Sequence, residues 1–179
     1  GSIPVSMPDD IYRTIMLRLA QKKVMVTVDA TKDLLVNVLE LHPFLVKPNN
    51  HELGEIFQVT LSEREEVIPY ARKLQQKGAR NVLVSMAGKG AVLLAEDGKI
   101  YMAAAPKGVL KNGVGAGDSM VAGFLAGYLE EKDYGHAFRM GIAAGSASAF
   151  SEYLATREEI QAVYDACTVS IYPDNGQGK

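Results

Sequence analysis

The sequence predicts an α/β protein built on a mainly parallel sheet with helices on both faces. Short apolar, β-branched runs alternate with longer stretches of helical periodicity, which is the pattern of parallel strands joined by crossover helices. The runs at 24–28, 44–46 and 81–85 are almost continuously apolar, as expected of strands covered on both faces. Apolar runs on either side of the turn Glu96-Asp97-Gly98-Lys99 predict a hairpin over 91–104.

Helices are predicted where apolar residues recur every three or four positions. They cover residues 9–20, 34–39, 62–77, 118–130, 134–150 and 156–166. No internal repeat and no linker interrupts this pattern, so we expect one domain or a piece of one. On such sheets, ligands bind beyond the carboxyl ends of the strands. The candidate loops are therefore 29–31, 47–52, 85–90 and 112–119.

The composition excludes several classes of protein. The 179 residues are 47% hydrophobic and 22% charged, which is typical of a globular chain. A net charge of −2 gives no electrostatic case for a nucleic-acid partner. No apolar run approaches the roughly 20 residues that span a bilayer, so no membrane partner is expected. The single cysteine, Cys167, excludes an internal disulfide and indicates a reducing, cytoplasmic compartment.

A run of small residues, Gly113-Val114-Gly115-Ala116-Gly117-Asp118-Ser119, precedes an apolar helix. Such a turn lets backbone N–H groups converge on an anion, and the helix N-terminus adds positive potential, as a phosphoryl group requires. A carboxylate at this place repels an anion, so anion binding does not explain the presence of Asp118. It could be a general base for a hydroxyl group, or it could complement the helix dipole. The segment alone does not decide between them.

Two common nucleotide-binding motifs, the dinucleotide fingerprint and the Walker loop, do not match the glycine-containing segments of this sequence. A dinucleotide fingerprint needs an acid about 20 residues on, at the end of a strand. Here the downstream acids Glu130 and Glu131 end a helix, which disfavours a nicotinamide oxidoreductase. In Gly88-Lys89-Gly90 the lysine is followed by glycine instead of serine or threonine, so this is not a Walker loop.

Asn49 and Glu52 lie three residues apart, after Lys47-Pro48 at the end of a predicted strand. An amide and a carboxylate that face together can hold a hydrated Mg²⁺ ion. The same spacing also suits a helix cap in which Glu52 reaches back to Asn49. Considered by itself, the segment favours the cap.

Two further segments combine small residues with polar ones. Ser85-Met86-Ala87-Gly88-Lys89-Gly90-Ala91 follows a strand and could lie against nucleotide phosphates, although a simple tight turn fits equally well. Gly145-Ser146-Ala147-Ser148 lies within a predicted helix and indicates close packing against another helix or against an adenine. Packing against a helix is the favoured interpretation.

In this order, the segments resemble those of the ribokinase-like (PfkB) family of sugar kinases. Val114–Ser119 resembles the carboxy-terminal signature of that family, and Asn49-x-x-Glu52 resembles its Asn-x-x-Glu motif. The opening Gly1-Ser2-Ile3-Pro4 resembles a Gly-Ser-Leu-Pro stretch found in the middle of family members. The resemblance runs from residue 1 to about residue 166 and is closest to the branch that acts on phosphosugars.

The resemblance implies a role for each matching residue. Asp118 would deprotonate the sugar hydroxyl, and Gly115, Ala116 and Gly117 would form the anion hole for the transferred phosphoryl group. Asn49 and Glu52 would organise Mg²⁺ through water. The residues expected to contact ATP are Lys47, Ser85, Gly90, Gly145 and Ser146.

Two positions depart from the family pattern. Ala87 stands where the nucleotide loop often has glycine, so the backbone would approach the nucleotide less closely there. Gly113 stands where serine or threonine is usual, which would weaken one contact near the anion hole.

The resemblance also implies an architecture and an activity. Residues 1–170 would be the carboxy-terminal, nucleotide-binding part of a three-layer ribokinase-like domain whose amino-terminal half and lid are missing, and 171–179 a frayed tail. The parent would be a homodimer that uses ATP and Mg²⁺ to phosphorylate a ketose phosphate, with fructose 1-phosphate first and tagatose 6-phosphate second. The fragment alone would be inactive. The alternative is a non-catalytic nucleotide-binding remnant.

Overall fold

Strands and helices alternate along the chain in the computed structural model, which describes Pro4, Met7, Pro8 and residues 10–22 and 24–173. The helices are α1 (Ile11–Leu19), α2 (Lys32–Val36), α3 (Asn50–Phe57), α4 (Arg64–Gln76), α5 (Ala116–Glu131), α6 (Tyr134–Phe150) and α7 (Arg157–Ala166). The strands are β1 (Thr27–Val28), β2 (Leu45–Val46), β3 (Asn81–Ser85), β4 (Ala91–Leu94), β5 (Ile100–Ala103) and β6 (Ser170–Tyr172). They form a mixed sheet in the order β1-β2-β3-β4-β5-β6, which confirms the predicted α/β class.

The described part of the chain divides into two compact units. The first comprises the described residues up to Ser85 together with Val92–Lys99, and the second comprises Met86–Ala91 and residues 100–173. The first boundary falls at the end of β3, where no change in composition marks it. Among the described residues, no helix is both long enough and apolar enough to cross a membrane.

In the first unit, β1, β2 and β3 are parallel. Thr27 pairs with Leu45, which in turn pairs with Asn81. Four consecutive residues of β3, from Asn81 to Val84, are buried. Because successive strand residues face opposite sides, this burial shows that both faces of β3 are covered. Helices α3 and α4 contact this strand.

The strand predicted over 24–28 is shorter in the structure. Only Thr27 and Val28 pair with β2, and Val24 and Met25 are exposed. Strand β2 is itself short, because Pro48 follows soon after it and a proline has no N–H with which to continue a ladder.

In the second unit, α5 packs against α6, α6 against α7, and α6 also contacts β5. Strand β6 pairs with β5 in antiparallel register, with Ile100 opposite Tyr172 and Met102 opposite Ser170. The predicted frayed tail was therefore wrong at Ile171 and Tyr172, which the backbone pairing with β5 holds in place. Residues 1–3 of the opening motif and 174–179 of the predicted tail lie outside the described residues.

Candidate active site

A polar residue lies at or just after the carboxyl end of each of the three parallel strands of the first unit. Asp29 comes directly after β1, Lys47 directly after β2, and Ser85 ends β3. Asn49 pairs with Ser85 as an isolated parallel bridge, and the Ser85 N–H donates to the Pro48 carbonyl oxygen at 3.2 Å. The structure therefore brings Lys47, Asn49 and Ser85 to one edge of the sheet, where ligands bind in α/β proteins.

Lys47 is buried, with its side chain only 8% exposed. Its Nζ atom lies 3.6 Å from Oδ1 of Asp29, whose side chain is 33% exposed. A buried ammonium group needs such a partner, because removal from water disfavours an unpaired charge. Sequence reasoning assigned no role to Asp29, although an acid directly after a parallel strand was a usable signal.

Asn49 and Glu52 form the capping box at the start of α3. The Asn49 N–H donates to Glu52 Oε2 and the Glu52 N–H donates to Asn49 Oδ1, each at 2.8 Å. The capping interpretation is thus confirmed. In the described part of the chain, no three His, Cys, Asp or Glu side chains are grouped to hold a metal ion directly. The oxygen atoms of Asn49 and Glu52 nevertheless suit a Mg²⁺ ion that keeps most of its water.

In the second unit, the glycine turn leads directly into α5. Gly115 is the N-cap residue, with φ 79°, a left-handed conformation that glycine adopts without steric cost. Asp118 lies in the first turn and is exposed. Helical geometry gives the N–H groups of Gly117 and Asp118 no acceptor within the helix. The Ala116 N–H, in contrast, donates to the Gly113 carbonyl oxygen at 3.3 Å.

Asn112 holds the loop that enters this turn. Its Oδ1 accepts from the Val114 N–H at 3.0 Å, and its Nδ2 donates to the Glu152 carbonyl oxygen at 3.2 Å. Its own N–H donates to the Ala149 carbonyl oxygen at 3.2 Å. Sequence reasoning missed this residue, although an asparagine just before a glycine turn is typical of a side chain that caps its own loop.

Two other predicted site residues are constrained by close backbone contacts. A Cβ atom on Gly90 would lie 2.0 Å from the Ala103 carbonyl oxygen, and its φ is 92°. A Cβ atom on Gly145 would lie 3.0 Å from the Ala116 carbonyl oxygen, so α6 lies directly against the first turn of α5. The favoured helix-packing interpretation therefore holds for Gly145. Ser146, the next residue, is half-buried.

The sequence is similar to proteins of one family of kinases. The sequence matches the family described as pfkB family carbohydrate kinase over residues 1–160. It is 48% identical over 161 residues to 1-phosphofructokinase from Bacillus subtilis, covering 90% of this chain and 53% of the relative. It is 36% identical over 156 residues to D-tagatose-1-phosphate kinase from Bacillus licheniformis, covering 86% of this chain and 51% of the relative.

A solved structure supports the same assignment. The crystal structure of a candidate phosphofructokinase from Staphylococcus aureus superposes with a TM-score of 0.89 at 40% identity, covering 96% of this chain and 56% of that one. The chain spans about half the length of the curated relatives it matches. On the family match over most of its length, the chain belongs to the pfkB family of carbohydrate kinases.

Proposed function

We propose that the whole protein containing this chain is a kinase that transfers the γ-phosphoryl group of ATP to a hydroxyl of a ketose 1-phosphate. The observation that carries the proposal is the exposed Asp118 in the first turn of α5, three residues after the glycine N-cap. Fructose 1-phosphate is the first candidate substrate, because the Bacillus subtilis relative is a 1-phosphofructokinase. Tagatose 1-phosphate replaces tagatose 6-phosphate as the second, following the name of the other relative.

In the proposed reaction, the Asp118 carboxylate accepts the proton of the sugar hydroxyl. The resulting oxygen forms a bond to the γ-phosphorus as the bond to the β,γ-bridging oxygen breaks, and ADP leaves. The N–H groups of Gly117 and Asp118, with the positive end of α5, stabilise the negative charge on the transferred group. The Asp118 N–H is an addition to the predicted anion hole of Gly115, Ala116 and Gly117. Within that hole Ala116 contributes less, because its N–H already has the Gly113 carbonyl as acceptor.

The remaining site residues would bind the nucleotide and its metal ion. Asn49 and Glu52 would hold Mg²⁺ through water, and the ion would neutralise phosphate charge. Lys47 would add positive charge for the phosphates. The proposed nucleotide contacts are completed by Ser85, Gly90, Gly145 and Ser146.

A cytoplasmic homodimer remains part of the proposal. Light scattering after size-exclusion chromatography of the whole protein tests whether it is a dimer.

The decisive experiment replaces Asp118 with asparagine in the whole protein and measures sugar-dependent ADP release. We expect turnover to fall about 10²–10⁴-fold, while ATP binding measured by calorimetry is retained. Glu65→Gln is the matched control, because Glu65 is also an exposed acid in the first turn of a helix, α4. If Asp118 only complements the helix dipole, both variants lose a little stability and neither loses turnover, and the assignment is wrong.

A second comparison separates the kinase from the nucleotide-binding remnant. A remnant binds ATP but releases no ADP when fructose 1-phosphate or tagatose 1-phosphate is added to the whole protein. A kinase shows turnover with one of these sugars. The 179-residue chain assayed alone should show no sugar-dependent ADP release in either case.

A further inference from the structure

Ser148 places a buried hydroxyl group in α6, close to the first turn of α5. The residue is only 3% exposed. Its Oγ donates to Oγ of Ser119 at 2.9 Å and accepts from the Ala155 N–H at 3.3 Å. Buried polar groups are costly unless they are hydrogen-bonded, so this hydroxyl has a defined direction and defined partners.

The residue that Ser148 contacts is the immediate neighbour of Asp118. Gly145 lies one helical turn before Ser148, and its Cα faces the Ala116 carbonyl oxygen. Residues three apart share one face of a helix, so a single face of α6 meets the first turn of α5 at two points. Gly145 sets the distance between the helices, and Ser148 adds a directional bond.

The first turn of α5 needs such an anchor. It contains Gly117, and a glycine within a helix costs about 1 kcal/mol relative to alanine. First turns also lack a full set of internal hydrogen bonds. A displacement of about 1 Å in a catalytic group can lower the rate by about 10²-fold. An external bond to Ser119 therefore restrains the place where the proposed base and N–H donors lie.

We propose that Ser148 is a positioning residue that acts through Ser119 to hold the Asp118 carboxylate and the N–H groups of the first turn in their reactive arrangement. The proposal rests on the proposed function for its effect on turnover. The anchoring of the turn itself does not depend on that function, so the two can be tested apart.

The first test is kinetic and uses the whole protein with Ser148→Ala, Ser119→Ala and the double variant. We expect each single change to lower kcat about tenfold with the KM values for ATP and sugar phosphate nearly unchanged, because the interaction matters in the transition state. The double variant should be no slower than either single one, since both remove the same bond. Ser148→Thr, which keeps the hydroxyl, should restore kcat. Unchanged kcat, or additive losses, would overturn the proposal.

The second test does not require turnover. The Ser119 N–H donates to the Gly115 carbonyl oxygen at 2.8 Å. Its amide hydrogen exchange should become faster by on the order of tenfold in Ser148→Ala and return in Ser148→Thr. Ser170→Ala is the matched control, because it deletes another hydroxyl that donates in the same unit, to the Met102 carbonyl oxygen at 3.3 Å. Unchanged exchange in Ser148→Ala refutes the anchor. Faster exchange in a protein without kinase activity supports the anchor and refutes the proposed function.

Discussion

The Asn49 N–H donates to the Glu52 carboxylate, and the Glu52 N–H donates to the Asn49 side chain, at the same distance of 2.8 Å. The two residues that we assign to hydrated Mg²⁺ therefore also begin α3. The two roles are separable by substitution. Glutamine can replace glutamate in a capping box, but it brings no negative charge for a cation.

Glu52→Gln should leave the melting temperature nearly unchanged and raise the Mg²⁺ concentration needed for half-maximal turnover about 10–100-fold, as expected when a group that orients a metal's ligands is lost. Asn49→Ala should instead cost about 1 kcal/mol of stability, because it removes the cap itself. Thermal melts and Mg²⁺ titrations of the whole protein measure both. If Glu52→Gln lowers stability as Asn49→Ala does and leaves the Mg²⁺ requirement unchanged, Glu52 is only a cap.

Replacing Ala87 with glycine should make the folded chain more stable. Its φ of 46° lies in the left-handed region, which costs an alanine roughly 1–2 kcal/mol. Glycine removes that cost but adds about 0.4–1 kcal/mol of chain entropy, so Ala87→Gly should stabilise the chain by up to about 1.6 kcal/mol in urea unfolding.

Alanine substitutions at two neighbouring glycines serve as controls for the Ala87→Gly measurement. Gly88→Ala should have little effect, because a Cβ atom there meets no atom within 4 Å. Gly90→Ala should destabilise the chain by more than about 2 kcal/mol, because its φ is 92° and its Cβ atom would lie 2.0 Å from the Ala103 carbonyl oxygen. A loss of stability in Ala87→Gly would show that the left-handed conformation carries no strain.

Helices and strands whose periodicity and end residues are visible in the nearby sequence were predicted well. The strand predicted over 81–85 and the helix predicted over 134–150 have the bounds of β3 and α6. In α6, Asp133 caps the N-terminus by accepting from the His136 N–H, which is a signal present in the sequence. Strand β6 was missed, because three residues, two of them exposed, show no periodicity and are ordered only by pairing with β5.

In the candidate site, too, residues in local patterns were predicted and residues that depend on distant partners were not. The glycine turn before Asp118 and the pair Asn49 and Glu52 are local patterns, so the sequence indicates them. Asp29 and Ser148 acquire their roles from partners 18 and 29 residues away, Lys47 and Ser119. No spacing rule connects such residues, and only the packed structure brings them together.

The ion pair between Asp29 and Lys47 should contribute to stability. Asp29→Asn leaves the buried Lys47 ammonium without its carboxylate partner. The loss should be about 1–2 kcal/mol, less than for a fully buried pair, because a third of the Asp29 side chain meets solvent. Lys47→Met should cost less than about 1 kcal/mol, since the carboxylate that remains is hydrated. Urea unfolding of both variants and of the double variant measures the coupling, and additive losses would show that the pair does not interact.

The thiol of Cys167, which is buried, should react slowly with a disulfide reagent at neutral pH. Burial raises the pKa of the Cys167 thiol above its ordinary value, and the positive charge of Arg139 opposes this only in part. Because the thiolate is the nucleophile, a raised pKa means less reactive species at pH 7 and a rate that rises only under more alkaline conditions. Arg139→Gln should slow the reaction further, since it removes the charge that favours the thiolate.

The measurement is thiol modification by Ellman's reagent between pH 6 and pH 9, with the urea-unfolded chain as the fully reactive reference. Cys167→Ala should abolish the signal, because the sequence contains one cysteine. A folded chain that reacts at neutral pH as fast as the unfolded chain would contradict the prediction. It would place the thiol in solvent, although the structure buries it at the end of α7.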